Sequence, residues 1–423
     1  MIANPRRAVQ SARTFIDLYA GCGGLSLGLM HAGWKGVFAV EKEENAFSTL
    51  AHNLVNGGKA ATTFDWPKWL PKAAISVESL LENYRSQLQL LRGKITLLAG
   101  GPPCQGFSTL GRRIETDPRN QAFRAYLELV AILRPKVVLM ENVRGITLPF
   151  SAAANKKPLA APVQTYAELI SSCFKQLKYN VWTETILSRD FGVPQTRPRF
   201  ILVAYLGDPG DDTTPFDALR MLQKRFLDQR KLRTPVGAKQ ALGDLQTAGV
   251  SLSPCVDSPG HKQGSSKAPR SSYQKLMHGS LNGVAPNSHR LANHRPETVK
   301  KFRWLINNCT KGKILAPDER GVHKTGKRTL YVLSPTAPAP TVTTLPDDML
   351  HFSEPRILTV REMARLQSFP DWFEFQGKYT TGGKLRTKEC PRYTQVGNAV
   401  PPLLADALGR ALVRFLKAAN ETQ

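Results

Sequence analysis

The stretch Gly100-Gly101-Pro102-Pro103-Cys104-Gln105-Gly106-Phe107-Ser108 directly follows the apolar run Ile95-Thr96-Leu97-Leu98-Ala99. A short apolar run closed by two glycines and two prolines predicts a buried strand that ends in a stiff turn. The turn carries a lone cysteine, and a thiol held still at a strand end is a better nucleophile than core filler. Further strand-like runs fall at 14–18, 37–40, 137–140, 181–187 and 200–205, with helical patterns at 25–32 and 121–133 between them. Such alternation predicts an α/β fold: a Rossmann-like, mostly parallel sheet with helices on both faces, followed by a smaller loop-rich domain.

The first unit is the most informative locally. A strand over Thr14–Leu18 is followed by a glycine turn from Tyr19 to Gly24, then by a helix from Leu25 to Ala32 that Gly33 closes. A strand, glycine turn and helix open many nucleotide-binding units, and Gly21, Gly23 and Gly24 would let a ligand approach the backbone. The spacing is not GxGxxG, which argues against a pyrophosphate cofactor and is compatible with S-adenosylmethionine. Glu41, at the end of the second strand, is placed to accept hydrogen bonds from ribose hydroxyls. Asp65 would end a third strand at 62–64, either reaching the adenine amino group or lying on the surface. Residues 77–91 predict one amphipathic helix packed on the sheet. Glu141 ends the strand after 137–140, so it shares a sheet edge with Cys104, where open α/β folds bind ligands.

The net charge of +25 points to a polyanionic partner, nucleic acid first. It is uneven: residues 220–330 hold 22 Lys and Arg against 6 Asp and Glu, which favours a phosphate-binding surface over a merely solvated face. The six scattered cysteines form no CxxC pair, and the five histidines in that region (His261, His278, His289, His294 and His323) lack ligand partners. No metal site is expected, and a reducing, cytoplasmic compartment fits. No apolar segment approaches membrane-spanning length. Thr359 and Glu362 predict a capping box for a helix ending before Pro370, and the helix after Pro401-Pro402 should pack back onto the first domain.

These segments together resemble the cytosine-C5 DNA methyltransferases of bacterial type. The resemblance rests on 15–24 (FIDLYAGCGG), 101–108 (GPPCQGFS), 141–143 (ENV), 195–199 (QTRPR), 361–367 (REMARLQ) and 395–398 (QVGN), in the family's order. It implies that Cys104 is the catalytic cysteine, that Glu141 contacts the target base, and that Arg197 and Arg199 help hold it. Tyr19, Gly21, Glu41, Asn398 and Val400 match positions lining an S-adenosylmethionine pocket, as do Phe15, Gly23, Gly24 and Asp65. The family usually has Phe where Tyr19 stands. The implied organisation is a catalytic domain over 1–205, a target recognition domain and hinge over 206–392, and a C-terminal segment, 393–423, that returns to the catalytic domain. The implied partner is double-stranded DNA, with a cognate restriction endonuclease acting independently and the enzyme a monomer.

Carbon 5 of cytosine is a poor nucleophile until something adds to carbon 6. A thiolate suits that task, being strongly nucleophilic and a good leaving group. The expectation is that Cys104 adds to carbon 6 while Glu141, kept neutral by burial, donates to ring nitrogen 3 of a cytosine flipped out of the duplex. An amino-group methyltransferase would instead carry an Asn- or Asp-Pro-Pro-aromatic turn. The competing readings are a tRNA cytosine-C5 methyltransferase and a silent DNA-binding regulator. The long basic region weighs against the first, and the full set of catalytic residue types against the second.

Overall fold

The computed structural model of the chain describes residues 13–103, 121–148, 165–210, 213–279, 285–317, 319, 329–380 and 389–421. Its centre is a six-stranded sheet of order β2-β1-β3-β4-β6-β5. Strands β1 (Thr14–Leu18), β2 (Lys35–Val40), β3 (Leu97–Gly100) and β4 (Val137–Val143) run parallel. Strand β6 (Pro198–Tyr205) is antiparallel to both β4 and the edge strand β5 (Asn180–Leu187). The expected doubly wound, mostly parallel fold is what forms.

Alternate residues of each strand feed two cores. Phe15, Leu97, Ala99, Leu139, Ile201 and Val203 face one side, where α1 (Gly24–His31) and α2 (Glu44–Leu54) lie. Ile16, Leu18, Leu98, Val138, Met140 and Leu202 face the other. That side is covered by α3 (Val77–Asn83), α4 (Arg85–Leu90), α5 (Gln121–Leu133) and α6 (Tyr166–Gln176). Burial on both faces is why these strands read as continuous apolar runs. Helix α1 is buried from Gly24 to Met30 because a second layer covers it.

Three expectations are corrected. The single helix expected over 77–91 is two helices that break at Tyr84, with α5 as their main neighbour. No strand forms at 62–64; that segment is irregular and hydrogen-bonds through Phe64 N to Leu54 O. The boundary expected at 206 does not end the first core. Helix α7 (Pro215–Gln229) places Phe216, Leu219 and Phe226 in it and is tied through Arg230 to Asp406 of the last helix.

The remaining chain forms α8 (Ala238–Leu242), a hairpin of β7 (Leu252–Pro254) and β8 (Lys262–Gly264), α9 (Ser272–His278) and α10 (Pro296–Asn308). Helix α10 packs with short paired strands β9 (Tyr331–Val332) and β10 (Met349–Leu350) around a separate small core of Phe302, Leu305, Leu315, Val332 and Leu350. Helix α11 (Val360–Leu366) starts at the expected reciprocal Thr359–Glu362 capping box. Helices α12 (Arg392–Asn398) and α13 (Pro402–Glu421) complete the chain, and α13 returns to lie along α1 and α7, as expected.

The junction between the loop-rich part and the core is charged and dry. Arg365 of α11 is fully buried and forks onto Asp244 at 2.9 and 3.1 Å, while its Nε donates to Asp371 at 2.6 Å. Removing one partner of such a group leaves a charge uncompensated in a low-dielectric interior. Asp244→Ala should therefore cost about 3 kcal/mol and lower the thermal unfolding midpoint by several degrees. Arg365→Met should cost more than Asp244→Ala, because it strands both Asp244 and Asp371.

Candidate active site

The carboxyl-terminal edge of the parallel strands gathers three segments. The first is the loop after β1. Tyr19 and Gly21 adopt left-handed backbone (φ 57° and 56°), and Gly23 has φ 95°. Tyr19 pays this strain back by donating its hydroxyl to Ala122 O at 2.7 Å, at the start of α5. That contact gives a tyrosine a use where phenylalanine is usual. Gly21 N donates to Glu41 Oε2 and Glu43 N to Glu41 Oε1, each at 2.8 Å. Both oxygens of Glu41 thus keep a further acceptor position, and burial raises its pKa despite those two bonds. Gly24 is pressed against the Val400 carbonyl, where a side chain would not fit. This brings Val400, from the far end of the chain, onto the loop. Asn398, at the end of α12, is exposed.

The second and third segments meet at Glu141. A Cβ built on Gly101 would stand 3.2 Å from Glu141 Oε2, so the turn after β3 lies against this carboxylate. Arg199 Nε donates to Glu141 Oε1 at 2.6 Å, across the β4–β6 pair. Asn142, which sequence reasoning left without a role, donates to Pro102 O at 3.0 Å and accepts from Val143 N at 2.8 Å, fastening the turn to β4. Cys104 itself lies outside the described residues. Glu141 is not isolated by burial, as expected of a neutral carboxyl, but paired with a cation.

Arg197 is placed differently from the expectation that it holds the base. It is fully buried and donates to Val342 O at 2.9 Å and Gly397 O at 2.8 Å, so it binds the β5–β6 loop to the chain on either side of α11. Gln195 does related work, accepting from Val342 N and donating to Leu366 O and Gln367 Oε1. Burial lowers the pKa of both arginines, that of Arg197 further helped down by Arg199, with Glu141 opposing. Both guanidiniums act on the Glu141 carboxylate, Arg199 directly and Arg197 through space.

Two expected pocket residues are not brought to this edge. Phe15 is wholly buried beside Phe64 in the core, low on β1. Asp65 N bonds Gly36 O and its carboxylate pairs with Lys35 at 2.8 Å in solvent, at the start of β2. Glu41 stands at the opposite end of that strand, roughly 15–20 Å along. The cause is that 62–64 forms no strand to carry Asp65 to the carboxyl edge.

A glycine loop holding an acidic residue, a Pro-Pro turn against a buried Glu–Arg pair and a returning C-terminal helix define a methyltransferase-type catalytic edge. The family profile described as C-5 cytosine-specific DNA methylase matches residues 13–414, and the chain belongs to that family. It is 30% identical over 409 residues to the Type II methyltransferase M1.HphI of Haemophilus parahaemolyticus, covering 95% of this chain and 87% of that one. Against the Type II methyltransferase M.DdeI of Desulfomicrobium norvegicum it is 29% identical over 418 residues, covering 96% and 89%. The fold is similar to that of a proposed DNA modification methyltransferase encoded within an E. coli prophage, with a TM-score of 0.63, 23% identity and coverage of 96% and 99%. The protein is a DNA (cytosine-5-)-methyltransferase of the kind found in restriction-modification systems.

Asp17 lies beneath the glycine loop, fully buried, with Ser26 donating to Oδ2 and no partner on Oδ1. Burial raises its pKa from 3.8 to about 7, with Ser26 opposing and Glu41 adding. A carboxyl whose folded pKa is raised binds its proton more tightly in the native state. It therefore costs nothing below the unfolded pKa, and an increasing amount as pH climbs from about 4 to about 7. Asp17→Asn should stabilise the fold relative to wild type by on the order of 2 kcal/mol more at pH 8 than at pH 5. Denaturant titrations at the two pH values would show it; a pH-independent difference would mean that Asp17 is ionised throughout.

Proposed function

We propose that this enzyme uses S-adenosylmethionine and attacks its target cytosine through Cys104, with Glu141, Arg199 and the Gly101-Pro102-Pro103 turn forming the base site. The observation that carries this reading is the seating of Gly101 against Glu141 with Arg199 on the carboxylate's other oxygen. The residues present fit the methyl donor. Gly21 has open space where a side chain would stand, Glu41 keeps acceptor positions for ribose hydroxyls, and Val400 borders the loop. When bound, the donor supplies a methyl group activated on a sulfonium.

In the proposed cycle the Cys104 thiolate forms a bond to carbon 6 of a flipped-out cytosine. Glu141 donates a proton to ring nitrogen 3, and the electron pair moves to carbon 5. Carbon 5 takes the methyl group, a base removes the carbon 5 proton, the thiolate leaves, and Glu141 takes back the proton from nitrogen 3. Arg199 orients Glu141. Arg197 acts at one remove, by holding the β5–β6 loop in place.

The basic second part of the chain is the DNA-facing surface in this reading. Asp244 and Asp257 in this part are paired with Arg365 and Arg392. We further propose a monomer acting in the cytoplasm on double-stranded DNA beside an independent restriction endonuclease. Among the described residues, no helix is long and apolar enough to cross a membrane.

Wild-type enzyme with adenosylmethionine and a duplex containing 5-fluorocytosine at its site should give a denaturation-resistant adduct. Cys104→Ser should give none, and an adduct from that variant would sink the mechanism. Glu141→Gln should lower kcat by roughly 10²–10³ with duplex binding retained. Bisulfite sequencing of DNA from a host expressing the protein reports the target.

A further inference from the structure

A compact polar clamp away from the reacting groups joins the β7–β8 hairpin to helix α12. Asp257, in the hairpin turn, accepts from Arg392 Nη1 at 2.5 Å and from the Tyr379 hydroxyl at 2.8 Å, with the Cys255 thiol at 3.2 Å. The Tyr379 ring lies between two guanidiniums, Arg290 at 4.0 Å and Arg392 at 4.3 Å from its centroid. Arg392 also donates to Gly377 O at 2.8 Å and Ser288 Oγ at 3.1 Å, and Arg290 to Ser258 Oγ at 3.1 Å. Tyr379 and Arg392 are buried, while the Asp257 side chain is 33% exposed at the rim of the clamp.

The two ends of the clamp face different tasks. On the hairpin side, Leu252 is 42% and Val256 89% exposed, and Lys262 is exposed beside them. Asp257, the only acidic residue between Val250 and Ser272, is paired with Arg392. What remains outside is a basic strand pair with an apolar tip, the chemistry that suits the groove and phosphates of a DNA duplex. On the other side, Arg392 is the first residue of α12, whose last residue is Asn398. Within the helix, Gln395 accepts from Thr49 at 2.7 Å, and its carbonyl faces the Cys22 thiol of the glycine loop at 3.7 Å. A helix of seven residues is stiff over its roughly 10 Å length, so a shift at Arg392 is felt at Asn398.

We propose that the β7–β8 hairpin contacts DNA, and that Asp257 and Arg392 are positioning residues that transmit its seating through α12 to the methyl-donor pocket. This rests on the assignment of that pocket above. Adenosylhomocysteine is the probe, its dissociation constant measured by calorimetry with and without a duplex bearing the site found by methylation mapping.

In the wild type, duplex should tighten adenosylhomocysteine binding at least about fivefold. Asp257→Asn should keep the duplex-free constant within twofold and lose the tightening. Tyr379→Phe, which removes one bond and keeps the ring sandwich, should lose part of it, and Asp257→Glu should restore part. Val256→Asp should weaken duplex binding about tenfold and leave adenosylhomocysteine binding in the absence of duplex unchanged. The proposal is overturned if wild type shows no tightening, if Asp257→Asn and Tyr379→Phe both retain it, or if Asp257→Asn weakens duplex-free binding equally, which marks a merely structural clamp. Unchanged duplex binding by Val256→Asp would overturn the contact. A wild-type protein that binds no adenosylhomocysteine would bring down the pocket assignment as well, whereas the other failures leave it standing.

Discussion

The packing of the last helix along the first is the constraint on which the rest depends. Gly24 and Gly28 present bare backbone to Val400 O and to the turn at Pro402 and Ala405, so the chain ends approach more closely than side chains would permit. Trp34 Nε1 donates to Gly409 O at 2.9 Å, and Phe415 packs against Trp182 and Tyr205, carrying the same helix across the sheet to its far edge. Because α12 runs directly into this helix, its docking also sets Val400 against Gly24 of the glycine loop, joining residues nearly 400 positions apart.

Buried arginines do the equivalent work on the other side. Arg197, Arg361 and Arg365 are all fully buried, and each spans segments distant in sequence. Arg361 donates to the carbonyls of Asn287, Pro370 and Phe373, while Arg365 binds α8 to Asp371. The planar fork of a guanidinium satisfies several carbonyls or carboxylates at fixed angles, which a lysine cannot do. In this enzyme Arg361 and Arg365 tie the loop-rich part together, and Arg197 fastens it to the β5–β6 loop.

Much of this was legible in the chain. The runs at 14–18 and 121–133 became elements with the expected bounds because their apolar periodicity coincides with real burial. The capping box at Thr359 formed because it is a local, self-contained bond pair. Asp65 was misplaced because a short β-branched run says nothing about whether a sheet edge is free to receive it. That Arg197 turns onto the Val342 and Gly397 carbonyls was not legible, because a motif names a residue but not the direction of its side chain. The extent of the first core was underestimated at 206, since the partner that buries α7 lies some 180 residues later.

By itself, the sequence determined the strand and helix periods, the turn chemistry around Gly101 and Gly21, the caps and the charge imbalance. Each of these is set by neighbours within a few residues. Only the tertiary structure decided which oxygen of Glu141 meets Arg199, which edge Asp65 falls on, and that Asp257 pairs with Arg392. Those outcomes depend on long-range packing, where burial makes a pairing worth several times its value in water, and no local pattern encodes which partners will be brought together.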